Sequence, residues 1–422
     1  MRFDVVVIGL GYVGMSLVRQ ASAAGLQVAG LDVRSEVVGG LLSGTSHVDD
    51  VSDDDLYEIL STGFVATTEP AILTQADVAV VCVPTPLTAD GRPDLSALCA
   101  AAATLGDRLR PSTLVIVEST SYPGTTDEVV RPILETASGL VAGRDFQLAF
   151  SPERIDPGNQ RFTMATTPKI VGGHTPACAA AATRFYRRFV HSVVQAKGTR
   201  EAELAKIIEN TYRAVNIALA NEVALLAHQL AVDVWDSLRC AASKPFGFQA
   251  FYPGPGPGGH CIPVDPNYFT HLARMNGGIF RLAELAQDIN ASMPRYVVER
   301  VGLLLNQRKR TVNGSAILLL GVTYKPNVSD QRGAAAWEIV RRLRRLGAAV
   351  SYHDPYVPAW EVDGLPLPRR HDLEPALRDA DLAILLQNHA SYDAQTLAAS
   401  ASLLFDACGG THGFTAETID ML

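Results

Sequence analysis

The chain has 422 residues, 47% hydrophobic and 19% charged, which is too long for one hydrophobic core and too apolar for disorder, so two or three globular domains are expected. A net charge of −8 argues against nucleic acid as the main partner but leaves room for a local basic site that takes a phosphorylated small molecule. Six scattered cysteines without a C-x-x-C pair suggest neither a disulfide framework nor a metal site. With no membrane-length apolar span and no signal peptide ahead of Arg2-Phe3, they predict a cytoplasmic protein with reduced thiols and no membrane partner.

Residues 3–9 (FDVVVIG) read as a strand buried on both faces of a parallel sheet. The run ends in Gly9-Leu10-Gly11-Tyr12-Val13-Gly14, a G-x-G-x-x-G pattern. A helix over 15–24 and a strand over 27–31 follow, ending at Asp32. Gly9 suits the tight turn, Gly11 the approach of a pyrophosphate, and Gly14 the packing of helix on strand. Helix amides then face the phosphates. Asp32, 18 residues past Gly14, stands where a carboxylate holds ribose hydroxyls and repels a 2′-phosphate, which favours NAD over NADP. Arg34, close by, is the one opposing signal.

The alternation continues with strands over 76–83, leading into Pro84-Thr85-Pro86, and 114–117, leading into Glu118-Ser119-Thr120. Ligands of doubly wound sheets bind outside the carboxyl ends of strands, which places Pro84, Thr85 and Thr120 on the ligand side. Capping of the next helix is the competing role for each hydroxyl. A strand over 148–150 feeds Ser151-Pro152-Glu153-Arg154-Ile155-Asp156, a turn with an acid and a base.

Residues 199–231 predict one long helix, capped by Thr199, with Glu201 and Glu203 in its first turns. Lys206, Asn210, Arg213 and Asn216 form a polar stripe at helical spacing. A solvated face is the ordinary explanation. Asparagines in an alanine-rich helix favour a functional one, because they form helix poorly. Such a helix suits a joint between domains and a dimer contact.

The glycine- and proline-rich stretch 251–269, FYPGPGPGGHCIPVDPNYF, is expected to be a stiff loop throughout. It carries His260, Cys261 and Asp265, a candidate reaction centre. A structural turn around a buried cysteine is the alternative. Residues 278–305 read as helix interrupted near Pro294. A second parallel-sheet unit follows, with strands over 316–320, 349–353, 380–386 and 402–406 and a basic helix over 334–346. It lacks the glycine fingerprint, so no second NAD is expected there. Lys325 and Arg332, at its first strand-to-helix end, suit phosphates. The predicted fold is α/β: two Rossmann-like, doubly wound parallel-sheet domains (1–198 and 313–422) joined by a central long-helix domain (199–312).

Seven motifs in one order resemble the UDP-glucose/GDP-mannose dehydrogenase family over essentially the whole chain. They are GLGYVG, CVPTP at 82–86, ESTSYPGTT at 118–126, SPERIDPGN at 151–159, EAELAKIIENTYRAVNIALANE at 201–222, PGPGPGGHCIPVDP at 253–266 and GVTYKPNVSDQR at 321–332. The resemblance implies oxidation of a sugar's C6 alcohol to a carboxylate with two NAD⁺, by a homodimer or higher homo-oligomer. It implies Cys261 as nucleophile, Lys206 and Asn210 as oxyanion donors, Asp265 and Thr120 as water-positioning groups, and Glu153 as acid–base group. Cofactor contacts would come from Gly9, Gly11, Tyr12, Val13, Gly14, Asp32, Arg34, Pro84, Thr85, Thr120 and Arg332. Substrate contacts would come from Glu153, Arg154, Ile155, Lys206, Asn210, Arg213, Phe251, Tyr252, Gly258 and Lys325. SPERIDPG, GGHC and KPFGFQAFYPGPG resemble the branch acting on UDP-N-acetylhexosamines, and UDP-N-acetylglucosamine before UDP-N-acetylmannosamine or UDP-glucose. One departure stands out: Gly333-Ala334-Ala335 replaces the family's usual Glu-Ser-Pro. Two other classes compete. A non-catalytic NAD- or nucleotide-sugar-binding regulator would not need the Cys261, Lys206, Asn210 and Asp265 set. A cysteine hydrolase built on Cys261 and His260 would have no use for an NAD site.

Overall fold

The computed structural model describes residues 2–156, 159, 161–259, 261–414 and 416–422. Two compact units are present: residues 1–209 with 267–276, and residues 210–266 with 277–422.

The first unit is built on eight strands: β1 (Phe3–Ile8), β2 (Val28–Leu31), β3 (Val65–Thr67), β4 (Ala76–Val81), β5 (Leu114–Val117), β6 (Gln147–Phe150), β7 (Lys169–Gly173) and β8 (Val193–Gln195). Their order is β3-β2-β1-β4-β5-β6-β7-β8. The unbroken apolar run of β1 has a direct cause, since both faces of the strand are covered. Val5 and Val7 pack with Met15, Leu17 and Val18 on one side, while Val6 and Ile8 pack with Leu98 and Leu105 on the other. From β3 to β6 every pairing is parallel, but β7 runs antiparallel to β6. The sheet is therefore not wholly parallel, as the sequence had suggested. The β6–β7 connection holds no helix among the described residues, and antiparallel pairing needs no helical crossover.

The first helix, Tyr12–Ala23, begins three residues earlier than expected, directly out of the glycine turn with Gly11 as its N-cap. It crosses β1 so closely that a Cβ on Gly14 would lie 1.9 Å from the main-chain oxygen of Gly9 and 3.2 Å from Val7 Cγ1.

In the second unit β9 (Ala316–Leu320), β10 (Ala349–His353), β13 (Leu382–Leu385), β14 (Leu404–Asp406) and β15 (Ile419–Met421) form a parallel sheet in the order β10-β9-β13-β14-β15. A small hairpin of β11 (Glu361–Val362) and β12 (Leu365–Pro366) stands apart. Strand β15 had no legible pattern, because three half-buried residues are too few to show a period.

Helix Arg281–Gln307 packs Met293, Val297 and Val301 onto Ile317 and Leu319 of β9. It runs through Pro294 without the expected interruption. Proline removes one intrahelical bond, the one that would have reached the Asn290 carbonyl. Gly256 of the glycine-proline stretch packs into that notch, where a Cβ would sit 3.1 Å from the Asn290 oxygen.

The long helix is Thr199–Gln229. Its residues through Glu209 belong to the first unit, and those from Asn210 onward to the second. The stretch 251–269 is irregular through Gly259, then turns helical at Cys261–Val264 and Pro266–Met275. This corrects the reading of a loop throughout. Pro263 and Pro266 fall in the first turns of these segments, where a missing N–H leaves no bond unmade.

Gly14→Ala is expected to lower unfolding stability by about 3 kcal/mol, because the new methyl would meet backbone that cannot retreat. Urea denaturation of the two proteins checks this.

Candidate active site

The first unit carries the glycine turn. Gly9 has φ +93°, and a Cβ there would meet the Cys82 carbonyl oxygen at 2.5 Å, so only glycine fits. A Cβ on Gly11 would meet nothing within 4 Å, and no side chain caps the helix that starts beside it. The turn is thus open where a phosphate needs backbone amides. Tyr12 and Val13 are half-buried against the core. Buried Asp32 accepts hydrogen bonds from the backbone of Leu10 (2.9 Å) and from the backbone and guanidinium of Arg34 (3.0 and 3.2 Å). Burial pushes its carboxyl up, but the bonds from Arg34 and Leu10 outweigh that and hold it below the usual carboxylate range. A buried anion in this place fits the ribose hydroxyls of NAD. Arg34 neutralises Asp32 instead of reaching for a 2′-phosphate.

Pro84 and Thr85 follow β4. The Thr85 hydroxyl donates to the main-chain oxygen of Thr120 (2.7 Å), which brings these two predicted residues together. The hydroxyl's one proton is therefore given to the backbone, while its oxygen keeps its acceptor capacity.

Beyond β6 stands a buried group of charges. Lys206 donates to the main-chain oxygen of Glu153, and its Nζ lies 3.6 Å from Glu153 Oε2. Glu153 Oε1 is buried with no hydrogen-bond partner among the described residues. Burial raises the Glu153 carboxyl above its ordinary range, against the pull of Lys206 and Lys169 and with a push from Glu118. Lys169 Nζ lies 3.0 Å from Glu118 Oε1, which also takes the Tyr186 hydroxyl proton bond. Lys169 and Tyr186 escaped the reading of the sequence, and Glu118 figured only within a motif. The available signal was a lysine opening a strand whose other residues are apolar or glycine. Arg154 is committed to Glu209 (2.7 Å) and to the Pro168 carbonyl (2.7 Å), and Ile155 packs on the core.

In the second unit Asn210 donates its amide to the buried carboxylate of Asp265 and accepts from Arg213 Nη2 (2.9 Å). The Asp265 N–H closes on the Cys261 carbonyl (2.8 Å). Cys261 is partly exposed, unlike the buried Cys82 and Cys178. Asn216 leaves the expected stripe, since its amide donates back to the Tyr212 carbonyl (2.7 Å) of its own helix. His260 lies outside the described residues. Phe251 meets Tyr212 edge-on with ring centroids 5.7 Å apart, and Tyr252 stacks on Trp235 while staying 53% exposed.

The glycine-proline stretch is held by its backbone. Gly254 N donates to Asn221 Oδ1 (2.9 Å), Asn221 donates to Asn290 Oδ1 (2.9 Å), and Asn290 donates to the Ala214 carbonyl (3.1 Å). Asn221 is wholly buried and was not singled out, although it too is an asparagine in an alanine-rich helix. Gly259 N donates to the Arg332 carbonyl (2.8 Å). A Cβ on Gly258 would meet Tyr324 Cβ at 2.7 Å and the Gly333 oxygen at 2.9 Å. Beside this junction opens a cavity of about 720 Å³ whose lining includes Gly256, Ile262, Pro263, Arg332 and Trp337. The Gly333-Ala334-Ala335 departure lines it as well. Lys325 is half-buried in the turn after β9, its carbonyl taking the Thr323 hydroxyl (2.8 Å). Arg332 pairs with Asp330 (2.6 Å).

The sequence matches the UDP-glucose/GDP-mannose dehydrogenase family in three consecutive parts: the NAD binding domain over residues 3–190, the central domain over 200–292 and the UDP binding domain over 318–411. The chain belongs to that family. It is 35% identical to the UDP-N-acetyl-D-mannosamine dehydrogenase of Pyrococcus horikoshii over 391 residues, 92% of this chain and 90% of the relative. It is also 35% identical to the UDP-N-acetyl-D-glucosamine 6-dehydrogenase of Salmonella typhi over 359 residues, 85% of this chain and 83% of the relative. A solved structure of UDP-D-ManNAc dehydrogenase from Pyrococcus horikoshii superposes with a TM-score of 0.90 at 33% identity, covering 100% of this chain and 98% of that one. The protein is thus an NAD-dependent nucleotide-sugar dehydrogenase with a UDP-sugar as substrate. Among the described residues no helix is long and apolar enough to cross a membrane.

Asn221→Ala should strip partners from Gly254 N and Asn290 Oδ1 and cost about 2 kcal/mol of stability, read by thermal or urea unfolding.

Proposed function

We propose that this dehydrogenase oxidises the C6 alcohol of a UDP-N-acetylhexosamine, UDP-N-acetylglucosamine foremost, to the carboxylate in two NAD⁺-dependent steps through Cys261. One observation carries the reading. Cys261 is partly exposed at the head of a helical turn closed by Asp265, whose carboxylate is tied to Asn210. The SPERIDPG and KPFGFQAFYPGPG motifs favour the N-acetylglucosamine substrate over UDP-N-acetylmannosamine and UDP-glucose.

NAD⁺, when bound by the first unit's glycine turn, would supply the hydride acceptor for each oxidation. An aldehyde carbon gives up hydride only after a nucleophile has added, and sulfur both adds and leaves well. Cys261 Sγ adds to the C6 aldehyde to give a thiohemiacetal. Lys206 and Asn210, one helical turn apart, steady its oxyanion with an ammonium and an amide. Oxidation gives a thioester at Cys261. Glu153, whose carboxyl burial raises above its ordinary range, takes a proton from the hydrolytic water as that water attacks. Asp265 and Thr120 orient the water. Thiolate leaves, and the uronic acid is released.

Gly9, Gly11, Tyr12, Val13, Gly14, Asp32, Arg34, Pro84, Thr85, Thr120 and Arg332 make up the cofactor side. Lys325 meets the substrate pyrophosphate. Arg213, Phe251, Tyr252 and Gly258 contact the nucleotide sugar. Arg154 and Ile155 contribute mainly backbone, because the Arg154 guanidinium is already occupied. The division 1–198, 199–312 and 313–422 is the working domain map. Exposed Ile208, Leu219, Val223 and Leu226 on the long helix support a homodimer, and the protein works in the cytoplasm.

A panel of UDP-sugars followed by NADH absorbance should give two NADH per sugar, fastest with UDP-N-acetylglucosamine. Cys261→Ser is expected to slow acid formation by about 100-fold or more. Undiminished acid release by that variant sinks the reading, and tight binding of UDP-sugars without turnover marks a regulator instead.

Acid formation needs the Glu153 carboxylate, so its rate rises with pH through that raised pKa. Lys206→Met removes a charge that lowers it and shifts this limb of the kcat profile to higher pH.

A further inference from the structure

Behind the turn that carries Lys325 lies a buried histidine–aspartate pair with no part in the chemistry above. His389 and Asp354 are both fully buried, at the carboxyl ends of β13 and β10. Asn327 N donates to His389 Nδ1 (2.9 Å), so Nδ1 carries no proton. The ring proton therefore sits on Nε2 and donates to Asp354 Oδ2 (3.1 Å). The same Asp354 oxygen accepts Val322 N (2.7 Å). Two backbone N–H groups, at either end of segment 322–327, thus terminate in one buried pair.

The remaining bonds tighten the same segment. Gln387 Nε2 donates to the Tyr324 carbonyl (3.2 Å), and Ala390 N donates to Asn327 Oδ1 (2.7 Å). Asn327 stands at φ +62°, a conformation an unsupported asparagine adopts only at some strain. Lys325 lies between the clamped ends. Tyr324, next to it, is the surface on which Gly258 and Gly259 of the Cys261 loop rest.

We propose that His389 is a positioning residue for substrate binding: paired with Asp354, it clamps segment 322–327 so that the Lys325 ammonium is held toward the substrate's pyrophosphate. This rests on the reading of Lys325 as a phosphate contact. A neutral imidazole suits the task because it offers one acceptor and one donor on opposite edges. A leucine of similar bulk would leave the Asn327 N–H and one Asp354 bond unmade, and the turn could rotate away.

The test is a double-mutant cycle on the purified enzyme, with KM for UDP-N-acetylglucosamine, KM for NAD⁺ and kcat measured separately. Lys325→Met should raise the sugar KM by about tenfold or more. His389→Leu should do the same while leaving the NAD⁺ KM within about twofold. In the Lys325→Met background it should add less than about threefold, because the lysine it positions is gone. His389→Asn, whose Oδ1 can still accept the Asn327 N–H, should recover most of the loss.

Equal losses from His389→Leu in both backgrounds, or a parallel rise in the NAD⁺ KM, overturn the proposal and leave His389 a structural residue. An unchanged sugar KM in Lys325→Met overturns the phosphate reading itself, and the proposal with it. Should His389→Leu fail to fold, Gln387→Ala decides. It removes one half-buried bond to the same turn and must show the same rise in sugar KM alone, and no rise overturns the proposal.

Discussion

The bond from Asp265 N–H to the Cys261 carbonyl, with the Asp265 carboxylate tied to Asn210, is the constraint on which the chemistry proposed for Cys261 depends. A sulfur that is to serve as the proposed nucleophile must be reachable, and so it cannot be held by packing around its side chain. The protein grips the backbone instead. Asp265 fixes the C-terminal side of Cys261. On the other side, the stretch from Gly254 to Gly259 is pinned by Asn221, by the notch at Pro294 and by Tyr324. Each of these contacts needs a glycine, or an amide from a distant helix, where an ordinary side chain would collide.

The first unit answers a different problem. Glu153, Lys206, Glu118 and Lys169 are charged groups taken out of water together. One of them alone would be strongly unfavourable there, whereas alternating signs make the burial tolerable. The arrangement leaves one Glu153 oxygen without a hydrogen-bond partner among the described residues, and burial shifts its carboxyl upward. A raised carboxyl of this kind is a better proton acceptor than an exposed one. Structural necessity and acid–base capability are the same fact here: the lysines that make Glu153 bearable are also those that set how easily it gives up its proton.

The Gly333-Ala334-Ala335 stretch lines the cavity beside the Cys261 loop and includes none of the residues proposed as catalytic. It leaves the helix Ala335–Arg345 with no side chain to cap its start, and Gly333 at φ +60°. The Arg332 carbonyl immediately before it still receives Gly259 N. At this junction the loop's anchorage is therefore a backbone property.

Local rules were enough for much of this protein. Strand β1, the glycine turn and Asp32 follow from a buried apolar run, steric need and charge, all readable within a few dozen residues, and so does the likeness to the dehydrogenase family. So does the spacing that puts Lys206, Asn210 and Arg213 on one helix face. The reversal of β7, the passage of a helix through Pro294, the helical turn beginning at Cys261 and the strand β15 were decided only in three dimensions. The same is true of which asparagine matters: Asn216 bonds back to its own helix, while Asn221 holds Gly254. Periodicity says which face of an element is polar. It says nothing of what that face meets, because the partners of Asn221, Lys169 and His389 are tens of residues or more away in the chain.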